Sequence, residues 1–344
     1  MANESIAVLL TERNAEKMFP NTVIHLIEGG VGVFGNIVVL IMYTKYIADK
    51  SGSRYFIPIL ALVDLFGCLS NVIEYHLDNT MMYTYPSVAL CKILLFLMIL
   101  TAGFSAHLIF SIALQRYLMI CRPLGPQMTK RFCRIAIVVI FGVSFGYSAP
   151  VLNFANLYER MTKFNSGNSS RYITLLYCHF DDKRESSVMV PYFGTLLFLT
   201  FINIIATSGL YIPVTRAIYR TLLTSNVQGK EHGNKPATSH RAEQTATQET
   251  SRKQKARKKI SVMFLVIIIV YVVSYMTSLV TQIHTFVNPM YLTGFRLNIY
   301  YFFLRFNLLN HIANPYIYWF YDVKFRKELR RLCCGRFQSK QVHS

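Results

Sequence analysis

The chain has 344 residues, 53% of them hydrophobic and 15% charged, with a formal net charge of +19. A soluble domain carries about 25% charged residues, so an ordinary water-soluble fold is excluded. The deficit is what hydrocarbon demands, since a charge near a helix centre costs roughly 2.5–3.5 kcal/mol on insertion scales. The basic balance does not point to nucleic acid either, because Lys and Arg gather in hydrophilic gaps between long apolar runs rather than on one face.

The first residues hold a five-residue apolar patch, Ile6 to Leu10, with no basic start, which is too short for a cleaved signal peptide. Residues 1–22 are therefore expected to precede a first helix that acts as its own insertion signal. A helix needs about 20 mostly apolar residues to cross a bilayer. Such stretches fall at 23–46, 55–77, 90–121, 134–157, 189–217, 260–287 and 297–320. Each must satisfy its own backbone in lipid, which selects helix. The last contains Arg305, Asn307, Asn310, His311 and Asn314, so six crossings are the alternative. Seven is the reading taken: an all-α bundle over 23–320.

Two polar pieces interrupt or follow the bundle. Residues 223–254 are rich in Thr, Gln, Ser, Lys and Glu without apolar periodicity, and read as a flexible loop. In 321–344, Phe325, Leu329 and Leu332 alternate with basic residues at helical spacing, which suits a short amphipathic helix on the inner membrane surface. Lys45, Lys50 and Arg54 follow span one, Arg122, Lys130 and Arg131 span three, Arg216 and Arg220 span five, and Lys324, Arg326 and Lys327 span seven. The other gaps mix signs. The positive-inside bias puts the N-terminus outside and the C-terminus in the cytoplasm, as for a multi-pass plasma-membrane protein.

Several residues stand out against this background. Asp64 lies in the middle of span two, where a carboxylate needs partners; Asn36, Ser105, Asn310 and Asn314 are candidates. Pro315, in NPYIY late in span seven, removes one backbone bond and frees the carbonyl of His311, to be met by the Asn314 side chain or a water. Arg116 ends span three, as a snorkelling arginine or as a switch. Cys91 and Cys178 are the two cysteines on the oxidising side and are expected to pair. Cys333 and Cys334 are palmitoylation candidates, and Asn3 and Asn168 head N-x-S glycosylation tripeptides.

Jointly, over about residues 23–334, these features resemble the rhodopsin-like G-protein-coupled receptors. Gly35–Asn36 is similar to the family's GN pair and Leu60 to Asp64 to its LxxxD. Cys91 stands 25 residues before Arg116, NPYIY matches NPxxY, and FRKEL resembles the start of the family's eighth helix. The resemblance implies a ligand bound from outside and a heterotrimeric G protein inside, with Arg116, Tyr211 and Tyr318 as the coupling switch. It also implies that Asp64, Ser105, Asn310 and Asn314 form an allosteric sodium site; no other cofactor is expected.

The chain departs from the pattern at identifiable places. QRY replaces DRY, so Gln115 cannot pair with Arg116 as an acid would, and the implied inactive latch is weaker. Asn203 stands in span five where a proline is usual, and Tyr275 and Thr277 replace the typical Trp and Pro of span six. Met98 occupies the position where amine receptors carry an aspartate, which disfavours an amine ligand. Glu74, Met98, Tyr275, Gln282 and Arg305, amid many aromatics, are the candidate ligand contacts, and a mixed-charge rim suits a neuropeptide. A small-molecule chemosensory receptor is the alternative in the same class, and a transporter or channel in another, although no inverted repeat is visible. With no nucleophile–base pair or metal cluster at suggestive spacing, no enzyme is expected.

Overall fold

The computed structural model describes residues 2–47, 52–166, 169–180, 190–231, 241–284 and 294–341. Helix α1 (Ala2–Ile41) ends in a π-helical turn, Met42–Tyr46, and is followed by α2 (Ile57–Thr80), α3 (Val88–Cys121), α4 (Lys130–Ser148) and the single turn α5 (Val151–Phe154). An antiparallel hairpin, β1 (Ala155–Ser166) and β2 (Ser169–Phe180), precedes α6 (Val190–Glu231) and α7 (Arg241–His284). The chain closes with α8 (Phe295–Leu304), α9 (Leu308–Tyr321) and α10 (Val323–Gln341).

Among the described residues six helices are long and apolar enough to cross a bilayer. The seventh crossing is made in two pieces, α8 and α9, with the break at Arg305–Asn307. Large apolar side chains such as Phe19, Phe34, Phe66, Val138, Phe198 and Ile205 point outward around the bundle. A water-soluble monomer rarely exposes so much contiguous apolar surface; in lipid it is the expected exterior. The shared interior is built from α2, α3, α6, α7 and α9, with Leu60, Leu108, Ile109, Val214, Met263, Phe264, Tyr271 and Tyr318 in one buried cluster.

Local chemistry accounts for several boundaries. Pro58 lies in the first turn of α2, where its missing N–H costs nothing. Thr129 caps α4 by accepting from the Phe132 N–H at 3.2 Å. Asp322 does the same for α10, accepting from the N–H groups of Lys324 and Phe325.

Three sequence expectations change. The fourth span, read as 134–157, runs as helix to Ser148 and resumes only as the turn Val151–Phe154, because Pro150 has no N–H to give to the turn before it. From Ala155 the chain is strand. Residues 2–22 are not a separate segment: α1 runs unbroken from Ala2, and Ile6, Ala7 and Leu10 pack on Ile173 and Leu175 of β2 and on Tyr83. The polar stretch 223–254 is helical to Glu231 and again from Arg241, while residues 232–240 lie outside the described ones. Its Glu, Lys, Gln, Arg and Ala content favours helix by intrinsic propensity, with no apolar face required. The amphipathic segment after span seven is helix α10, and Phe325 on it is buried, stacked on Tyr43 at 5.7 Å.

Candidate functional site

Three polar centres run along the bundle axis. At the hairpin end, Cys91 and Cys178 form a disulfide with a Cα–Cα distance of 5.7 Å, tying β2 to the first turn of α3. Arg305 sits at the break between α8 and α9, almost fully buried. Its guanidinium donates to Asn21 and Asn79 at 2.9 Å each and to Asp78, and lies over the rings of Tyr75 and Tyr301 at 4.6 and 4.9 Å. It thus joins α1, α2 and the broken seventh crossing. The sequence offered Arg305 as a ligand contact; in the structure its donors are already directed at protein partners.

Beneath the hairpin end lies a cavity of about 400 Å³ between α3, α6 and α7. Tyr275 and Gln282 line it, as expected from the sequence, together with His107, Tyr147, Asn203 and Asn307. Among the described residues that line it, none is Asp, Glu, Lys or Arg. Glu74 is instead buried against the Tyr85 hydroxyl, which donates to it at 2.6 Å, and Met98 packs in a cluster with Cys68, Tyr75, Leu308 and Ile312. The sequence reading did not place His107 in the pocket, and it noted Asn203 only as a departure from the family pattern. Asn203 accepts from the Tyr271 hydroxyl at 2.8 Å.

The middle centre gathers around Asp64, which is inaccessible to solvent. Ser105 Oγ donates to its Oδ1 at 3.1 Å and Asn314 Nδ2 to its Oδ2 at 2.7 Å, while Asn310 Nδ2 donates to Ser105 Oγ at 3.1 Å. All four residues expected here are present. A fifth, His311, was not foreseen: its Nδ1 meets Asp64 Oδ1 at 2.8 Å. Asn36 does not face the carboxylate. Its Nδ2 donates at 2.8 Å to the carbonyl of His311, the one freed by Pro315. The expected partner of that carbonyl was Asn314 or a water; a side chain from α1 takes the role. Gly35 makes this reach feasible, because a Cβ there would lie 2.9 Å from Pro315 Cβ.

A sodium ion fits this arrangement poorly. Such a hard cation takes oxygen ligands with free lone pairs. Here both Asp64 oxygens accept from N–H or O–H donors, both asparagines present amide nitrogens, and the added group is an imidazole nitrogen rather than an oxygen.

At the opposite end, Arg116 is buried, donates to the backbone carbonyl of Ser53, and lies 4.4 Å over the Phe264 ring. Gln115 Nε2 donates to the Gly52 carbonyl at 3.2 Å. The position that carries an acid in DRY therefore binds the turn before α2 instead. Tyr211 donates to the Ser261 carbonyl at 2.5 Å. Tyr318 is buried with no hydrogen-bond partner for its hydroxyl and packs edge-on against Tyr43 at 5.8 Å. The three residues expected to act as a switch thus lie toward the same end of the bundle. Nearby, Arg54 pairs with Asp322 at 2.8 Å and Tyr43 donates to the same carboxylate. Burial opposes the charge of Asp322, but Arg54, Tyr43 and the Lys324 N–H hold its carboxyl below the usual range.

Of the modification candidates, Cys333 is an exposed free thiol on α10 with Cys334 next along the same helix. Asn3 lies in the first turn of α1, and Asn168 lies outside the described residues.

Comparison with known proteins agrees with this geometry. The pattern of the family described as "7 transmembrane receptor (rhodopsin family)" matches residues 35–318. The tachykinin-like peptides receptor 86C of Drosophila melanogaster is 28% identical over 173 residues, covering 49% of this chain and 32% of that one. The neuropeptide S receptor of Homo sapiens is 25% identical over 206 residues, covering 58% of this chain and 52% of that one. The matched stretch thus spans about a third to a half of those relatives' lengths. The crystal structure of squid rhodopsin superposes with a TM-score of 0.69 at 18% identity, covering 92% of this chain and 85% of that one, which speaks for the fold. With a family match over most of its length and seven crossings in the matching order, the chain belongs to the rhodopsin family of seven-transmembrane receptors.

Proposed function

We propose that this receptor is activated by a neuropeptide arriving at the hairpin end and that it engages a heterotrimeric G protein at the end bearing Arg116, Tyr211 and Tyr318. The observation that carries the reading is the cavity. Its volume of about 400 Å³ lies at the low end of the roughly 300–1,000 Å³ of small-ligand sites. It therefore takes one end of a peptide, and the rest of the chain rests on the hairpin and the outer turns of α1 and α2. Its described lining sets the amides of Gln282 and Asn307 and the hydroxyl of Tyr275 among apolar walls. Among those residues a cationic amine has no carboxylate to meet. A peptide terminus without charge, or an aromatic or amide side chain, finds complementary donors and acceptors. Receptors whose names specify tachykinin-like peptides and neuropeptide S are among the relatives, which favours the same ligand class.

On this reading the N-terminus is extracellular, as the loop charges favour. Cys333 and Cys334 carry acyl chains at the inner surface, and Asn3 and Asn168 lie on the glycosylated side. The test is a peptide-library screen on cells expressing the chain, following calcium and cyclic AMP. The expected outcome is a peptide response that is lost in Tyr275→Ala and Gln282→Ala while surface expression is kept. Responses to small neutral molecules alone would favour the chemosensory alternative. Ligand-driven ion flux without any G-protein requirement would overturn the receptor mechanism.

A further inference from the structure

Both carboxylate oxygens of Asp64 are engaged by side chains of the protein, and one of those side chains is a histidine. Asp64, Ser105, Asn310, His311 and Asn314 are each 2% exposed or less, so their hydrogen bonds must be found inside the protein. Most are: Ser105, His311 and Asn314 meet the carboxylate, and the Ser105 oxygen that gives one hydrogen to Asp64 takes another from Asn310, while His311 Nε2 is buried with no partner among the described residues. With Asp64 ionised, the carboxylate only accepts, and the proton of the His311–Asp64 bond then belongs to Nδ1.

The imidazole is held in place on three sides. Its own carbonyl is gripped by Asn36 Nδ2 at 2.8 Å and by the Cys68 thiol at 3.6 Å. Its ring lies against the backbone of α2 at Gly67, where an added Cβ would stand 2.8 Å from Nδ1 and 2.9 Å from Cγ and Cε1. Any side chain at position 67 would push the ring off Asp64. Gly67 and His311 are thus a matched pair, a missing side chain on α2 and a ring on α9 that fills the gap. Admitting a cation would require moving this ring, breaking its bond to Asp64 and turning both asparagines to present oxygen, all inside a closed core.

We propose that His311 takes the role that sodium was expected to play: its Nδ1–H is the fixed partner of Asp64, and this receptor has no allosteric sodium site. The inference rests on the packing of α2 against α9 and is independent of which ligand fills the outer cavity.

The experiment uses the purified full-length receptor in nanodiscs and follows thermal unfolding in sodium chloride against choline chloride, each at about 150 mM, near physiological ionic strength. The wild type is expected to unfold at the same temperature in both salts. His311→Ser, which vacates the ring's volume and leaves a hydroxyl, is expected to gain a sodium-dependent rise that Asp64→Asn removes. A saturable sodium-dependent rise in the wild type, lost in Asp64→Asn, would overturn the proposal. So would a His311→Ser protein that unfolds at one temperature in both salts, since the imidazole would then not be what excludes the ion. If His311→Ser does not fold, sodium-23 line broadening on the wild type decides alone. Broadening no greater than with Asp64→Asn upholds the assignment, and an Asp64-dependent excess refutes it.

Discussion

The bond from Asn36 to the carbonyl freed by Pro315 can be isolated by a double-mutant cycle. In Asn36→Ala the His311 carbonyl keeps only the thiol of Cys68, a weak donor at 3.6 Å. The second acceptor of Asn36, the Gly32 carbonyl at 3.0 Å, lies one turn back in its own helix and loses little. Hydrogen bonds between membrane helices contribute about 0.6 kcal/mol on average and at most about 1.7. A buried carbonyl left unpaired lies near the top of that range. Asn36 Oδ1, itself buried without a partner, offsets part of the loss, so the single mutant alone is not decisive. Pro315→Ala supplies a backbone N–H that can reach the same carbonyl. In that background Asn36→Ala should cost almost nothing, giving a coupling of about 1–1.7 kcal/mol. Thermal unfolding of the four purified proteins reads this as a shift of about 2–4 °C per kcal/mol. Additive effects, with Asn36→Ala equally harmful in both backgrounds, would show that Asn36 does not serve the proline-freed carbonyl.

Arg305→Ala should lower surface expression and unfolding temperature rather than ligand potency alone. It strands Asn21 and Asn79 and unpairs Asp78, a loss of about 2–3 kcal/mol given that Asp78 is partly exposed; normal stability with shifted potency would return Arg305 to the ligand site. The Asp322–Arg54 pair has a defined acid limit. Because the folded carboxyl titrates below its unfolded value of about 3.9, its contribution is complete above that pH and fades as pH falls through the lower folded value. The difference in unfolding temperature between wild type and Asp322→Asn should therefore be constant near neutrality and shrink only in strong acid; a difference that vanishes by pH 6 would contradict it. Gln115→Asp gains a charge beside Arg116 but loses the donor to Gly52, so ligand-free signalling in a cyclic AMP assay should fall only partly; a wild type silent without ligand would remove the basis for a weak latch.

The crossings were legible because lipid imposes a length and a composition on every helix that spans it. Asp64 was legible for the converse reason, as a charge where none is tolerated unpaired. The role of His311 was not, because its partner is an absence: nothing in the letter Gly67 says that a ring from a helix some 240 positions later fills its missing Cβ, as the 247-residue separation of His311 from Asp64 illustrates. Pro315 announced an orphaned carbonyl, but which helix would supply the donor depended on the close approach permitted by Gly35. The hairpin had a signal, alternating runs flanking an Asn-, Ser- and Gly-rich stretch, hidden by the apolar span leading into it. Arg305 was conspicuous, yet the same burial suits a ligand contact and an internal brace, and only its neighbours distinguish them.

A beam cut in two transmits a push differently from a whole one. Above the cut at Arg305–Asn307, α8 is bolted to α1 through Asn298, which accepts two hydrogen bonds from Asn21 and donates to the Lys17 carbonyl at 2.8 Å. Below it, α9 follows directly on Asn307, a wall of the outer cavity, and carries His311, Pro315 and Tyr318 down its length. On the proposed function, a push at Asn307 enters the lower piece, whose bonds to Asp64 and Asn36 it would have to rearrange, while the upper piece keeps its hold on α1. Holding a ligand and relaying its arrival would then fall to different lengths of the same crossing.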